Sequence, residues 1–517
     1  MPRRSLRTQP PAPSSTASVP RVGCGPAAPI GGGRGAGRCG RAAPYVLLAL
    51  LAGSALAQPA PDRTLNRAIN EEVRRGLQAA PELSVLVTEL DSGEPVYSYR
   101  ADELRIVASN AKLLTTAAAL HYLGPGFVFD TPLLARGRVE GGVLHGDLAV
   151  VGRGDPTVSE RFTLDPFAVF RGWARALKER GIFRVDGDLL LVHGYFEDAE
   201  VHPDWPPDQL ARWYEAPISA LSFNDNCVWV RVSPTGAGRA RVDLLPDLGL
   251  FPVTNLTRIG DSSRHHQVVI TRRTGSSEIE ARGYVWRRAA PLDAWVTVPD
   301  PTAWFGAALA AALSEEGIPV AGGPRPLENL PAGVWERVAA HRSGLLDVLA
   351  VVNKRSQNFF AESLLKTLGA ERCGGGTWAE GIEAVAQFLE GEVGVARGEY
   401  QMADGSGMSR RNRFTASQLV ALLRHMYYHR WGRAFLQSLP YSGEEGLSWE
   451  RRLQTPPYRN NVYAKTGTLS GVSTLSGYAK GRSGKLYAFS ILGNRARSTW
   501  QARDAQDRIL RALIDHG

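Results

Sequence analysis

The stretch "VASNAKLLTTAAAL", residues 107–120, decides how the rest of the chain is read. It is apolar and alanine-rich, which predicts a helix from about Ser109 to Leu123, closed by Gly124-Pro125-Gly126. A helix apolar on every side belongs inside a protein. Its opening turn nevertheless carries a hydroxyl, Ser109, and an amine, Lys112, three positions apart and therefore on one face. The first N–H groups of a helix have no partner within it, and the positive end of the helix dipole lies there. A lysine held neutral at that place can take the serine proton and turn the hydroxyl into a nucleophile. Taken alone the pair is weak, because an N-cap serine with a solvated lysine reads the same way.

Outward from this helix the chain changes texture twice. On its N-terminal side lie a helical pattern, "LNRAINEEVRRGL", and two alternating runs about Asp91-Ser92-Gly93 that read as a hairpin. From 127 to 296 short β-rich runs alternate with Gly, Pro, Asp and Asn, interrupted by one helix, "DPFAVFRGWARALKERG". Helical patterns return from 297, and strands "VYAKTGTLSGVSTLSGYAK" and "KLYAFSILGN" precede a last helix. The expectation is one α/β (α+β) domain assembled from residues 58–126 and 297–517. A β-rich region, 127–296, is inserted, with room for two nested modules.

Residues 1–57 are a different material: seven Arg, no Lys, no acids, then "YVLLALLAGSALA" ending in a small-x-small triplet. They read as a signal peptide cleaved near Ala57, which places the protein in the periplasm or outside the cell. A loose association with the membrane through a retained segment stays open. Without them Lys+Arg falls from 60 to 53 against 51 acids, so the net charge drops from +9 to +2. No nucleic-acid partner is expected on that balance. Cys227 and Cys373 are the only cysteines past the leader, and whether they pair is open. No Cys or His pair is read as having zinc spacing, His265-His266 read as a polar loop, and neither metal nor cofactor is expected.

Company in the right order strengthens the Ser109–Lys112 reading. Ser356-Gln357-Asn358 stands in "NKRSQNFFAESLLKTLG", and Lys465-Thr466-Gly467 stands in the strand-like "YAKTGTLSG". A serine with lysine at i+3, then Ser-x-Asn, then Lys-Thr-Gly is the three-part pattern of the serine penicilloyl enzymes. The chain resembles the D-alanyl-D-alanine carboxypeptidase/endopeptidase branch of the low-molecular-mass class C penicillin-binding proteins. That branch has a large insertion between the first two motifs, and here Ser109 and Ser356 are 247 positions apart. "GRGDPTV" (152–158), "APISALSFNDN" (216–226), "ADGSGMSRRN" (403–412) and "LPYSGEEGLSWERR" (439–452) extend the likeness over nearly all of the chain past the leader.

The resemblance implies a penicillin-binding, β-lactamase-like fold, an antiparallel sheet flanked by helices, that cleaves the D-Ala-D-Ala end of peptidoglycan stem peptides. It also implies acylation by β-lactams. Ser109 would be the nucleophile and Lys112 its base, kept neutral by partial burial and by the nearby cation of Lys465. Ser356 would pass the proton to the leaving amine, and Asn358 would hold Lys112 and the substrate amide. Lys465 with Thr466 or Thr468 would grip the substrate carboxylate, with Gly467 between them. The N–H groups of Ser109 and Thr468 would form the oxyanion hole. Asp155 and Met408 are carried over as contacts to a diaminopimelate side chain, with a capped turn before Pro156 the equal alternative for Asp155. Asp404 and Ser406 read better as parts of a Gly-rich turn. Two rivals stand: a β-lactamase or esterase, for which no E-x-x-L-N segment is found, and a non-catalytic peptidoglycan binder.

Overall fold

A computed structural model of the protein describes residues 63–447 and 449–517; the leader reading of residues 1–57 lies outside them. The strands Glu82–Glu89 and Pro95–Tyr99 form the expected hairpin. They join the C-terminal strands Val462–Leu469, Val472–Lys480 and Leu486–Asn494 in one five-stranded antiparallel sheet. The seam pairs Glu82 with Asn494 and Glu89 with Tyr487, so the two ends of the chain close one domain. Helices Arg63–Gly76 and Thr499–His516 cover one face through Ile69, Val73, Ile509 and Leu513 packed on Val85, Val87 and Phe489. On the other face, helices Ala111–Leu123, Asn358–Cys373, Trp378–Phe388 and Ala416–Tyr428 share a core with Ala488 and Leu492.

The opening helix is as buried as its composition requires. Every residue from Ala111 to Leu120 is out of solvent, and Gly124, at φ +73°, ends it.

The inserted region is larger than its β-rich texture suggested. Strands Val128–Glu140, Val143–Val151, Arg184–Val185 and Asp188–Val192 form a six-stranded sheet with Gly323–Leu327 and Glu336–Gly344. Helix Pro301–Glu315 packs on it through Trp304, Phe305 and Leu309, beside Phe170 and Trp173. The chain therefore rejoins the helical layer at Leu345 rather than at 297. Physical reasons hid this. "GPRPL" (323–327) carries two prolines, which a strand tolerates at a sheet edge, and it is an edge strand here. An all-round apolar helix such as 301–315 does not announce which core it joins. Two three-stranded sheets are nested inside: Cys227–Ser233 with Arg241–Leu245 and Leu292–Thr297, and Val253–Gly260 with Gln267–Arg272 and Ile279–Trp286. Cys227 and Cys373 are both free thiols. No helix among the described residues is long and apolar enough to cross a membrane.

Candidate active site

Ser109 sits in a single 3-10 turn, Ala108–Asn110, that runs directly into the buried helix. Ala108, immediately before it, holds φ +46°, a left-handed strain that non-glycine residues adopt mainly where surrounding packing enforces it. Two glycines do the enforcing. A Cβ on Gly467 would lie 2.8 Å from Val107 O and 2.9 Å from Ser109 N, and one on Gly407 would lie 1.8 Å from Ala108 O. The edge strand Val462–Leu469 and the 403–412 loop thus press on the serine turn from two sides because neither carries a side chain at the point of contact.

Lys112 Nζ lies 3.0 Å from Ser109 Oγ, and it donates to Asn358 Oδ1 at 2.7 Å and to the Ser406 carbonyl at 2.7 Å. Lys465 Nζ donates to Ser356 Oγ at 2.7 Å and to the Thr466 carbonyl at 2.8 Å. Both amines are wholly buried. Ser356 itself holds φ +56°, and Asn358 Nδ2 donates to Tyr214 O of the inserted region at 2.8 Å. Residues from three motifs, spread over 356 positions, therefore meet beside one cleft as two hydrogen-bonded groups, Ser109–Lys112–Asn358 and Ser356–Lys465. Ser109, Ser356, Asn358, Met408, Thr466 and Thr468 line a cleft of about 720 Å³, with the two lysines behind its wall.

Burial dominates the electrostatics. Desolvation pulls the Lys112 ammonium down to about 7, opposed by the carboxylates of Glu362 and Asp404. Desolvation also holds Lys465 well below the usual lysine range, and repulsion from Lys112 adds to it. Partial burial was expected to share the work with the Lys465 cation; full burial of Lys112 is the larger cause.

Asp155 lies outside the cleft lining, 2% exposed, its oxygens accepting from Thr157 N at 2.9 Å, Thr157 Oγ1 at 2.7 Å and Ser343 Oγ at 2.8 Å. It braces a turn of the inserted region against the strand Glu336–Gly344, the arrangement that the capped-turn alternative describes. Gln357 lies outside the cleft lining and donates to Asp225 at 3.1 Å. Asp404 caps its turn, accepting from Gly407 N, Ser409 N and Asn412 Nδ2.

Glu362 was missed. Its carboxyl, fully buried, accepts from Ser406 N at 2.7 Å, Gly405 N at 2.9 Å and Trp378 Nε1 at 2.9 Å, and so holds the two N–H groups just ahead of the Ser406 carbonyl that accepts from Lys112. Burial and the charge of Asp404 raise it to about 7. An acid four positions after Asn358, inside an apolar helical run, was the available signal. His121, His425 and His429 also meet, although none was singled out; the i, i+4 spacing of the last two is a ligand spacing that had been passed over.

With this geometry in view, the comparison with known proteins is decisive. Residues 67–513 match the D-Ala-D-Ala carboxypeptidase 3 (S13) family. The chain belongs to that family. The D-alanyl-D-alanine carboxypeptidase of an Actinomadura species is 35% identical over 492 residues, covering 90% of this chain and 88% of that one. DacB of Haemophilus influenzae, also a D-alanyl-D-alanine carboxypeptidase, is 24% identical over 81% of this chain and 86% of its own length. The crystal structure of penicillin-binding protein 4 from the same organism superposes with a TM-score of 0.74 at 25% identity, covering 85% of this chain and 98% of that one. This S13 carboxypeptidase is accordingly a hydrolase of D-Ala-D-Ala peptide ends, with the α/β fold of the penicillin-binding proteins.

Proposed function

We propose that this S13 carboxypeptidase works through an acyl-enzyme on Ser109. One observation carries the reading: the Ser109 hydroxyl lies 3.0 Å from the Lys112 amine, and that amine is stripped of water on every side. Lys112 takes the Ser109 proton as Oγ attacks the carbonyl carbon of the penultimate D-Ala. The oxyanion that forms is met by N–H groups at Ser109 and at Thr468 on the edge strand; such donors are worth roughly 10²–10³ in rate each. The C–N bond then breaks, the terminal D-Ala leaves as an amine, and Ser356, joined to Lys465, relays the proton to it. Water hydrolyses the acyl-serine by the reverse sequence. Lys465, with Thr466 and Thr468, supplies the positive field for the substrate's terminal carboxylate, while Met408 adds an apolar edge to the cleft.

Substrates are peptidoglycan stem peptides, and β-lactams acylate the same hydroxyl. A crystal structure of the H. influenzae relative in complex with a β-lactam supports that second statement. The amino-terminal 57 residues direct the protein to the periplasm or beyond. Incubation with benzylpenicillin followed by intact-protein mass spectrometry should show one adduct per chain, absent from Ser109→Ala. An adduct that persists in that variant would sink the proposal.

A further inference from the structure

At the far end of the helix that begins beside Ser109 and Lys112, three imidazoles converge. His121 lies in its last turn, His425 in the last turn of Ala416–Tyr428, and His429 caps that second helix. One ring nitrogen of each lies within 4.8 Å of the others, and His121 Nδ1 is 3.2 Å from His429 Nε2. Two nitrogens bound to one tetrahedral zinc at 2.0–2.1 Å stand about 3.3–3.4 Å apart, so this pair already has the separation a shared cation requires.

His425 supplies the independent observation. Its Nε2 is buried and has no hydrogen-bond partner, while its ring is hydrogen-bonded to the main chain of Glu392. A histidine anchored through one nitrogen with the other left bare is how metal ligands are oriented. An orphaned buried nitrogen otherwise needs an explanation. The Glu392 carboxylate acts on all three rings and can offset the charge of a bound cation. Arg372, over the Tyr122 ring at 4.3 Å, and Arg430, over Trp431 at 5.6 Å, are the opposing cations. Burial favours the neutral, ligating form of each imidazole.

We propose that His121, His425 and His429 form a structural site for a zinc-class divalent cation, with Glu392 or water as the fourth ligand. Soft or borderline metals favoured by imidazole fit; magnesium and calcium, which prefer oxygen, do not. Loading places the His429 proton on Nδ1, so the Trp431 N–H gives up the acceptor it now has there at 3.1 Å. The bound ion would pin the C-terminal end of the nucleophile-bearing helix to the helix that packs across the central sheet. The site makes no contact with the cleft lining, so it stands or falls independently of the Ser109 mechanism.

The test is cobalt and zinc binding to the purified, chelator-treated protein. One equivalent of Co²⁺ should give the visible absorption of a tetrahedral ion, lost on adding Zn²⁺, and either metal should raise the melting temperature reversibly to chelation. His425→Ala should weaken binding by more than about 100-fold, beyond the loss seen for outer-shell residues, with an unchanged metal-free melt and circular dichroism. Should that variant misfold, His121→Gln serves in its place. His265→Ala/His266→Ala must leave binding intact. The absence of stoichiometric binding, binding that survives loss of the cluster ligands, or binding lost only in the surface control would overturn the assignment and leave three helix-terminal histidines that hydrogen-bond to one another.

Discussion

Replacing Lys112 by methionine should stabilise the protein at neutral pH and destabilise it in mild alkali. Burial takes the ammonium from 10.5 in the unfolded chain to about 7 in the folded one. Between those values the unfolded chain holds the proton more tightly, so wild-type stability rises with pH across that window and is lowest, relative to a neutral side chain, below it. Linkage puts the penalty at about 4 kcal/mol at pH 7 and about 2 kcal/mol at pH 9. Against this, the variant loses the hydrogen bonds to Ser109, Asn358 and Ser406, worth about 1 kcal/mol each. The variant therefore gains about 1 kcal/mol at pH 7 and loses about as much at pH 9. The hydrogen-bond loss is common to both pH values, so the change of about 2 kcal/mol between them is the firmer quantity. Lys465 remains, and relief from its neighbour's charge adds in the same direction. Urea unfolding of both chains at pH 7, 8 and 9 measures the difference. A difference that is flat or grows with pH would mean that Lys112 is charged in the folded protein, and its role as base would fall with it.

Glu362→Gln removes a carboxylate that favours the Lys112 ammonium, so the acid limb of the penicillin acylation rate, centred near 7, should move to lower pH; movement upward would contradict the assignment. Gly467→Ala puts a Cβ 2.2 Å from Thr474 Oγ1 and 2.9 Å from Ser109 N, and a displacement of that kind should slow acylation at least ~10²-fold, read by stopped-flow with a fluorescent penicillin. Asp155→Ala should lower stability by about 1–3 kcal/mol through three lost hydrogen bonds, while acylation and D-Ala release stay within twofold. A large loss of turnover there would return Asp155 to the cleft.

The parts legible in the sequence were those where a polar residue sits in an apolar pattern for no structural reason. Ser109 and Lys112 at the mouth of an alanine-rich helix, and Lys465 in a strand whose other inward residues are apolar, are such anomalies: both lysines end up buried, and Ser109 faces the cleft they stand behind. Glu362 is the same kind of anomaly, an acid inside "FFAESLL", and deserved the same reading. The hairpin and the C-terminal strands were visible from alternation and turn residues. Their pairing across Glu82–Asn494 followed only from order along the chain, because register between distant strands leaves no local mark.

What the sequence concealed is carried by the main chain and by edges. The third acceptor of Lys112 is the Ser406 carbonyl, and a carbonyl has no residue type to betray it. The turn that presents it is held by Asp404 from within and Glu362 from behind, so two side chains position a group that belongs to neither. That arrangement also explains why a Gly-rich turn was the better reading of 403–412 and yet incomplete. The glycines at 405 and 407 let the loop approach the helices closely, and the approach delivers a backbone oxygen 2.7 Å from an amine that would otherwise be short of acceptors. A buried amine that donates to two fixed acceptors, Asn358 Oδ1 and the Ser406 carbonyl, and faces a hydroxyl able to accept from the ammonium or donate to the neutral amine keeps its position in both protonation states, which is the requirement on a base that must receive a proton and hand it on without moving.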